Sequence, residues 1–170
     1  MTHSILVVDD QELLRDILKD ALQRESYQVF CAASAEEAQA ILSQQPVDVI
    51  ISDDRMPGIS GTELLAMVRK MYPETIRIML TGYARLDSAL QAINNGEVYR
   101  FFTKPPNLIE LTVTIRQALQ QKNLLNENQR LMDTVRKQSL SLQAMEKRYP
   151  GITKVKRDPS GAIIIDEDTE

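Results

Sequence analysis

The chain has 170 residues, 43% hydrophobic and 26% charged, a composition that suits one packed domain with an extension. Its net charge of −4 argues against general attraction to nucleic acid or anionic membrane, and its one histidine, His3, excludes His-dependent triads and multi-histidine zinc sites. The one cysteine, Cys31, excludes a disulfide or cysteine metal framework and reads as a buried structural thiol.

No run of eighteen apolar residues is present, and "MTHSILVVDD" lacks the basic start and small-residue cleavage site of a signal peptide, so a cytoplasmic location is expected. Residues 4–106 then alternate strand-like and helix-like segments. Strands are expected at "SILVV" (4–8), "QVFCA" (28–32), "VDVIIS" (47–52), "TIRIML" (75–80) and "VYRFF" (98–102). Between them, helical spacing predicts helices at about 11–24, 35–44, 60–71 and 86–95. The second opens with a capping box, Ser34 and Glu37, and the fourth stops at Asn94-Asn95-Gly96. The strands are too continuously apolar for a sheet wetted on one face. The expected fold is therefore α/β, a (βα)5 doubly wound parallel five-stranded sheet covered on both sides.

After Pro105-Pro106 no glycine or proline recurs until Pro150, which predicts one long helix opened by Asn107 and Glu110. At about 1.5 Å per residue it is ~60 Å long, too long for one domain face. Leu108, Leu111, Ile115, Ala118 and Leu119 suit packing on the sheet. Beyond them Leu124, Asn128, Leu131, Val135, Gln138, Leu142, Met145 and Tyr149 are spaced alternately four and three apart. With Asn128, Val135 and Leu142 at a positions, a parallel coiled-coil homodimer through residues 124–149 is expected. The domains read as 1–120, a helical extension at 121–149, and a tail at 150–170 whose two β-prone runs around Asp158-Pro159-Ser160-Gly161 suit a β-hairpin.

In a parallel α/β sheet the strand C-termini share one edge, where ligands bind. That edge receives Asp9-Asp10, Asp53-Asp54, Thr81-Gly82 and Thr103-Lys104-Pro105. Clustered carboxylates must share a proton or bind a cation, and hard oxygen donors without His or Cys point to Mg²⁺. Lys104 supplies a point charge and Thr81 a hydroxyl donor, which together make a phosphate-shaped hole. Attack of a carboxylate on phosphorus, giving an aspartyl phosphate, fits this set and needs no histidine base. Between Asp53 and Asp54, strand alternation makes no choice, because the strand is apolar on both faces.

The segments "LVVDD" (6–10), "IISDDRMPGISG" (50–61), "MLTGYA" (79–84) and "YRFFTKP" (99–105), in this order and spacing, resemble the receiver domain of two-component response regulators, the family of the bacterial chemotaxis regulator. The resemblance covers about residues 4–120 and implies the flavodoxin-like strand order 2-1-3-4-5. It also implies a phosphoryl group accepted on Asp53 from a sensor histidine kinase or phosphotransfer protein. In the same pattern Asp10 and Asp53 ligate Mg²⁺ directly, Asp9 acts through water or as an outer partner, and the Arg55 backbone carbonyl is a third protein ligand. Thr81 binds the phosphoryl oxygen, Lys104 contacts it from the other side with a cis Lys104-Pro105 bond, and Phe101 takes the place of the switching aromatic. Arg55 and Tyr83 stand where they screen the phosphoryl group, and Asp54 is left as a solvent-facing loop residue.

The enzymatic rival is a haloacid-dehalogenase-type phosphatase, which needs an acid/base Asp two residues after its nucleophile. Arg55 stands there instead. The chain is thus expected to catalyse only its own phosphorylation and dephosphorylation. Residues after 120 have neither the length nor the charge of a DNA-binding domain, so the expected output is a helical dimer and tail acting on an unidentified partner protein, with no nucleic acid and no membrane involved. The alternative is the amino-terminal receiver of a larger regulator with an output enzyme such as a cyclic-dinucleotide phosphodiesterase.

Overall fold

The structure, a computed structural model, describes residues 2–82 and 98–150. The helix expected at about 86–95, the tail hairpin and Tyr83 lie outside the described residues. The described elements are β1 (Ser4–Val8), α1 (Glu12–Arg24), β2 (Gln28–Ala32), α2 (Ala35–Gln44), β3 (Val49–Asp53), α3 (Gly61–Met71), β4 (Ile76–Thr81), β5 (Arg100–Thr103) and α4 (Leu108–Arg148). The strands form one sheet in the order β2-β1-β3-β4-β5, parallel at every neighbouring pair, as expected. The chain divides into two compact units, Met1–Gln121 and Lys122–Glu170.

Strand alternation sorts the first unit into two cores. Ile5, Val7, Val49, Ile51, Ile78, Leu80 and Phe102 turn to the face covered by Leu18 and Leu22 of α1 and by Leu111, Ile115 and Leu119 of α4. Leu6, Val8, Ile50 and Met79 turn to the other face, against Ala38 and Leu42 of α2 and Leu64, Leu65 and Val68 of α3. Burial on both faces explains why the strands read as unbroken apolar runs.

Three strand ends differ from the sequence expectation. β3 and β4 each run one residue farther, through Asp53 and Thr81, and β5 ends at Thr103. The ladder continues because backbone pairing does not depend on side-chain polarity: the Asp54 amide donates to the Leu80 carbonyl at 2.8 Å and the Lys104 amide to the Thr81 carbonyl at 2.9 Å. The polar residues that leave the sheet are therefore held by it.

The helix starts follow the cap chemistry with changes. The Ser34 hydroxyl accepts the Glu37 amide, but the Glu37 carboxylate takes the Ala33 amide, not that of Ser34. The reciprocal capping box forms instead at Ser60 and Glu63. Asn107 Oδ1 accepts the amides of Ile109 and Glu110, while the Glu110 carboxylate pairs with Arg100 at 3.3 Å. Cys31 is half-buried, not buried as expected, because β2 is an edge strand; burial still pushes its thiol up. His3 finds a partner the linear sequence does not reveal, Asp48 Oδ2 at 3.1 Å.

Candidate functional site

The residues that follow the last apolar position of each strand inherit its alternation. Asp9 continues Ile5 and Val7, Asp53 continues Val49 and Ile51, and Lys104 continues Phe102, all from the face lined by α1 and α4. Parallel pairing then brings the three to one point on the C-terminal edge. Lys104 Nζ lies 2.6 Å from Asp9 Oδ2 and 2.7 Å from Asp53 Oδ2. Asp9, Asp10 and Asp53 each offer a carboxylate oxygen, and these oxygens all lie within 4.8 Å of one another. Asp9 is fully buried and Asp53 nearly so, whereas Asp10 is exposed at the mouth. The Lys104-Pro105 peptide is cis, as expected.

Backbone amides complete the cradle, since Gln11 donates to Asp9 Oδ1 at 2.9 Å and Arg55 donates to Asp53 Oδ1 at 3.3 Å. Asp9 Oδ2 is buried with no aligned hydrogen bond and relies on the Lys104 ammonium beside it. Burial raises the pKa of Asp53, against the lowering pull of Lys104 and of the Arg55 amide. Burial alone would depress Lys104. Its close pairing with the Asp53 and Asp9 carboxylates outweighs that and holds it above the usual lysine value.

The alternate residues occupy the opposite face. Thr81 continues Met79, and Asp54 continues Ile50 and Ser52 on the side lined by α2 and α3. Asp54 is thus no solvent-facing loop residue: it is 4% exposed, and Thr81 Oγ1 donates to its Oδ2 at 3.0 Å. The physical reason is the continued ladder, which keeps Asp54 alongside β4 one residue past the Asp53–Leu80 pair. Phe101, paired with Met79 and on the same face as Thr81, is half-buried against that core. The Arg55 side chain is exposed, and its Nη2 stands 4.0 Å from where a Cβ on Gly82 would lie.

Gly61 escaped sequence reasoning. A Cβ there would stand 1.6 Å from the Asp53 carbonyl oxygen and 2.9 Å from Ser52 Oγ, which itself donates to that carbonyl at 3.0 Å. Only a residue without a side chain lets α3 start against the backbone of Asp53. The signal was present as a glycine immediately after the cap Ser60, but the contact is tertiary. Gly58, at φ +80°, turns the chain between Asp53 and that helix.

Residues 5–116 match the response regulator receiver domain. The chain belongs to that family. It is 38% identical over 128 residues to the hydrogenase transcriptional regulatory protein HoxA of Cupriavidus necator, a match covering 75% of this chain and 26% of that protein. Among solved structures it resembles the receiver domain of an HD domain-containing protein from Pseudomonas fluorescens Pf-5, at 37% identity and TM-score 0.68, covering 72% of this chain and 98% of that one. A receiver domain protein from Clostridium thermocellum is similar at 32% identity, with the same TM-score of 0.68 and the same coverages. The chain therefore spans about a quarter of the HoxA relative but nearly the whole of these receiver structures.

Receiver domains bind Mg²⁺ at an acidic pocket and take part in two-component signalling with histidine kinases. The oxygen cluster of this receiver fits such an ion by its chemistry: three carboxylates, two buried and one at the mouth, with no soft donor among them. Among the described residues, no helix is long and apolar enough to cross a membrane.

Proposed function

We propose that this receiver accepts a phosphoryl group on Asp53 and that Asp9, Asp10, Lys104 and Thr81 serve that transfer. The observation that carries the reading is the convergence of Asp53 Oδ2, two further carboxylates and the Lys104 ammonium, the last at 2.7 Å from Asp53. The Asp53 carboxylate is the nucleophile. Its oxygen forms the new O–P bond as the P–N bond of a phosphohistidine on a sensor kinase or phosphotransfer protein breaks, and the electron pair stays with the imidazole nitrogen. When bound, Mg²⁺ neutralises charge on the transferring group; Asp10, Asp53 and the Arg55 carbonyl would hold it directly, with Asp9 in support. Lys104 faces the incoming phosphoryl oxygens with its positive charge, and Thr81 donates its hydroxyl to one of them, with Phe101 repacking as the threonine turns. No turnover of a separate phosphoester substrate is proposed, because Arg55 occupies the place of the acid/base that a phosphatase of this type requires.

Intact mass after incubation with acetyl phosphate and Mg²⁺ tests the assignment. Wild type is expected to gain one phosphoryl group and Asp53→Asn none. Gain by Asp53→Asn, together with gain by wild type without Mg²⁺, overturns it.

For the output, a parallel homodimer through 124–149 that acts on a partner protein is the favoured reading. Its support is that Leu124, Leu131, Val135, Leu142 and Met145 are all exposed along one heptad seam of α4, with Tyr149 exposed just past its end. The other reading, a receiver at the start of a larger regulator with its own output domain, is favoured by the 26% coverage of the HoxA relative.

A further inference from the structure

A threonine hydroxyl carries one proton and donates to one acceptor at a time. Among the described residues, the acceptors within reach of Thr81 Oγ1 are Asp54 Oδ2 at 3.0 Å and the Gly82 carbonyl at 3.3 Å. Thr81 is fully buried and Asp54 nearly so, so bulk water does not compete. Of the two acceptors the carboxylate is the shorter and carries the charge, which makes it the stronger. The phosphoacceptor reading requires the same hydroxyl to donate to a phosphoryl oxygen on Asp53, whose side chain leaves β3 on the opposite face from Asp54.

We propose that Asp54 is a positioning residue for phosphoryl binding: its carboxylate competes with the phosphoryl group for the Thr81 hydroxyl and so sets how readily the receiver engages that group. This inference rests on the reading of Asp53 as phosphoacceptor. The competition is built into the backbone. Asp53 pairs with Leu80, and the Asp54 amide is fixed to the Leu80 carbonyl at 2.8 Å, so Asp54 is carried beside Thr81 by the sheet itself. Side-chain torsion about the threonine Cα–Cβ bond moves between staggered wells, so the hydroxyl exchanges acceptors in a discrete step. Each exchange toward the phosphoryl group leaves a buried carboxylate without this donor, and that loss opposes engagement.

The test is calorimetric titration of the full chain with beryllofluoride, an acyl-phosphate mimic, at fixed Mg²⁺. Asp54→Val, which removes the acceptor, is expected to bind about tenfold more tightly than wild type, the equivalent of ~1.4 kcal/mol. Asp54→Asn keeps an acceptor oxygen and removes only the charge, and is expected to fall between the two. In a Thr81→Val background the difference between the Asn and Val variants should shrink to within about twofold, since no hydroxyl remains to be contested. A purely structural or purely electrostatic role for Asp54 would leave that difference unchanged. No tightening in Asp54→Val, or a difference that persists without the Thr81 hydroxyl, overturns the proposal. Should Asp54→Val not fold, the same cycle with Asp54→Asn alone decides: the effect of the Asn change must depend on Thr81. If wild type fails to bind beryllofluoride, the phosphoacceptor reading itself is overturned, an outcome distinct from loss of the coupling.

Discussion

Gly61 limits how the end of β3 at Asp53 can be held. Its missing side chain leaves room for the Asp53 carbonyl and the Ser52 hydroxyl at the start of α3, so Gly61→Ala must push either the helix or the strand end away. Overpacking of this kind costs about 1–3 kcal/mol, and here the displaced atoms belong to the proposed nucleophile. A lower melting temperature together with slower phosphoryl uptake from acetyl phosphate is expected, whereas an alanine tolerated in both assays would show that the contact relaxes freely. Lys104 poses the complementary case. It bridges two buried carboxylates, so Lys104→Gln removes their shared counter-charge, a loss on the order of 3 kcal/mol for a buried pair. The variant should melt earlier than wild type and gain more from added Mg²⁺, because the cation then has no competitor for the three carboxylates; scanning calorimetry across a Mg²⁺ series reads both effects.

At the scale of elements, α3 owes its start to the reciprocal bonds of Ser60 and Glu63. Replacing the cap by Ser60→Ala is expected to cost about 1 kcal/mol in urea unfolding. The amide and hydroxyl of Ser60 hold the Glu63 carboxyl below its ordinary value. A depressed folded pKa means stabilisation that is present above the ordinary carboxylate pKa and lost as pH falls through the folded value. Glu63→Gln should therefore melt below wild type at neutral pH, with the gap closing in acid; a gap independent of pH would mean that charge contributes nothing to the cap. Helix α4 shows a different balance. Leu111, Ile115, Ala118 and Leu119 are buried, while from Leu124 onward its large apolar residues are exposed.

For the molecule as a whole, those exposed residues carry the oligomer prediction. Sedimentation should give a dimer mass for residues 1–170 and a monomer for Leu131→Lys combined with Leu142→Lys, which places charge at one d and one a position of the seam. Equal monomeric masses for both proteins would remove the dimer. The receiver unit should keep its phosphoryl uptake in the double variant, because both substitutions lie in the second unit, Lys122–Glu170, beyond the residues proposed for the transfer.

The sequence by itself determined the alternation of strands and helices, the parallel sheet and the set of polar residues delivered to its edge, because these follow from local periodicity and from apolar runs that only a doubly covered sheet can bury. It also determined that the polar residues brought to that edge are carboxylates, a hydroxyl and an ammonium, with neither the one histidine nor the one cysteine among them. Which carboxylate faces which partner was decided only by tertiary structure. Asp53 and Asp54 are neighbours in sequence, yet alternation sends them to opposite faces; the register of β3 with β4 places Thr81 with Asp54, and the pairing of β4 with β5 brings the ion-paired Lys104 to Asp53. The same holds for Gly61 and for His3 with Asp48: each contact joins segments distant in the chain, and no local pattern encodes the distance between them.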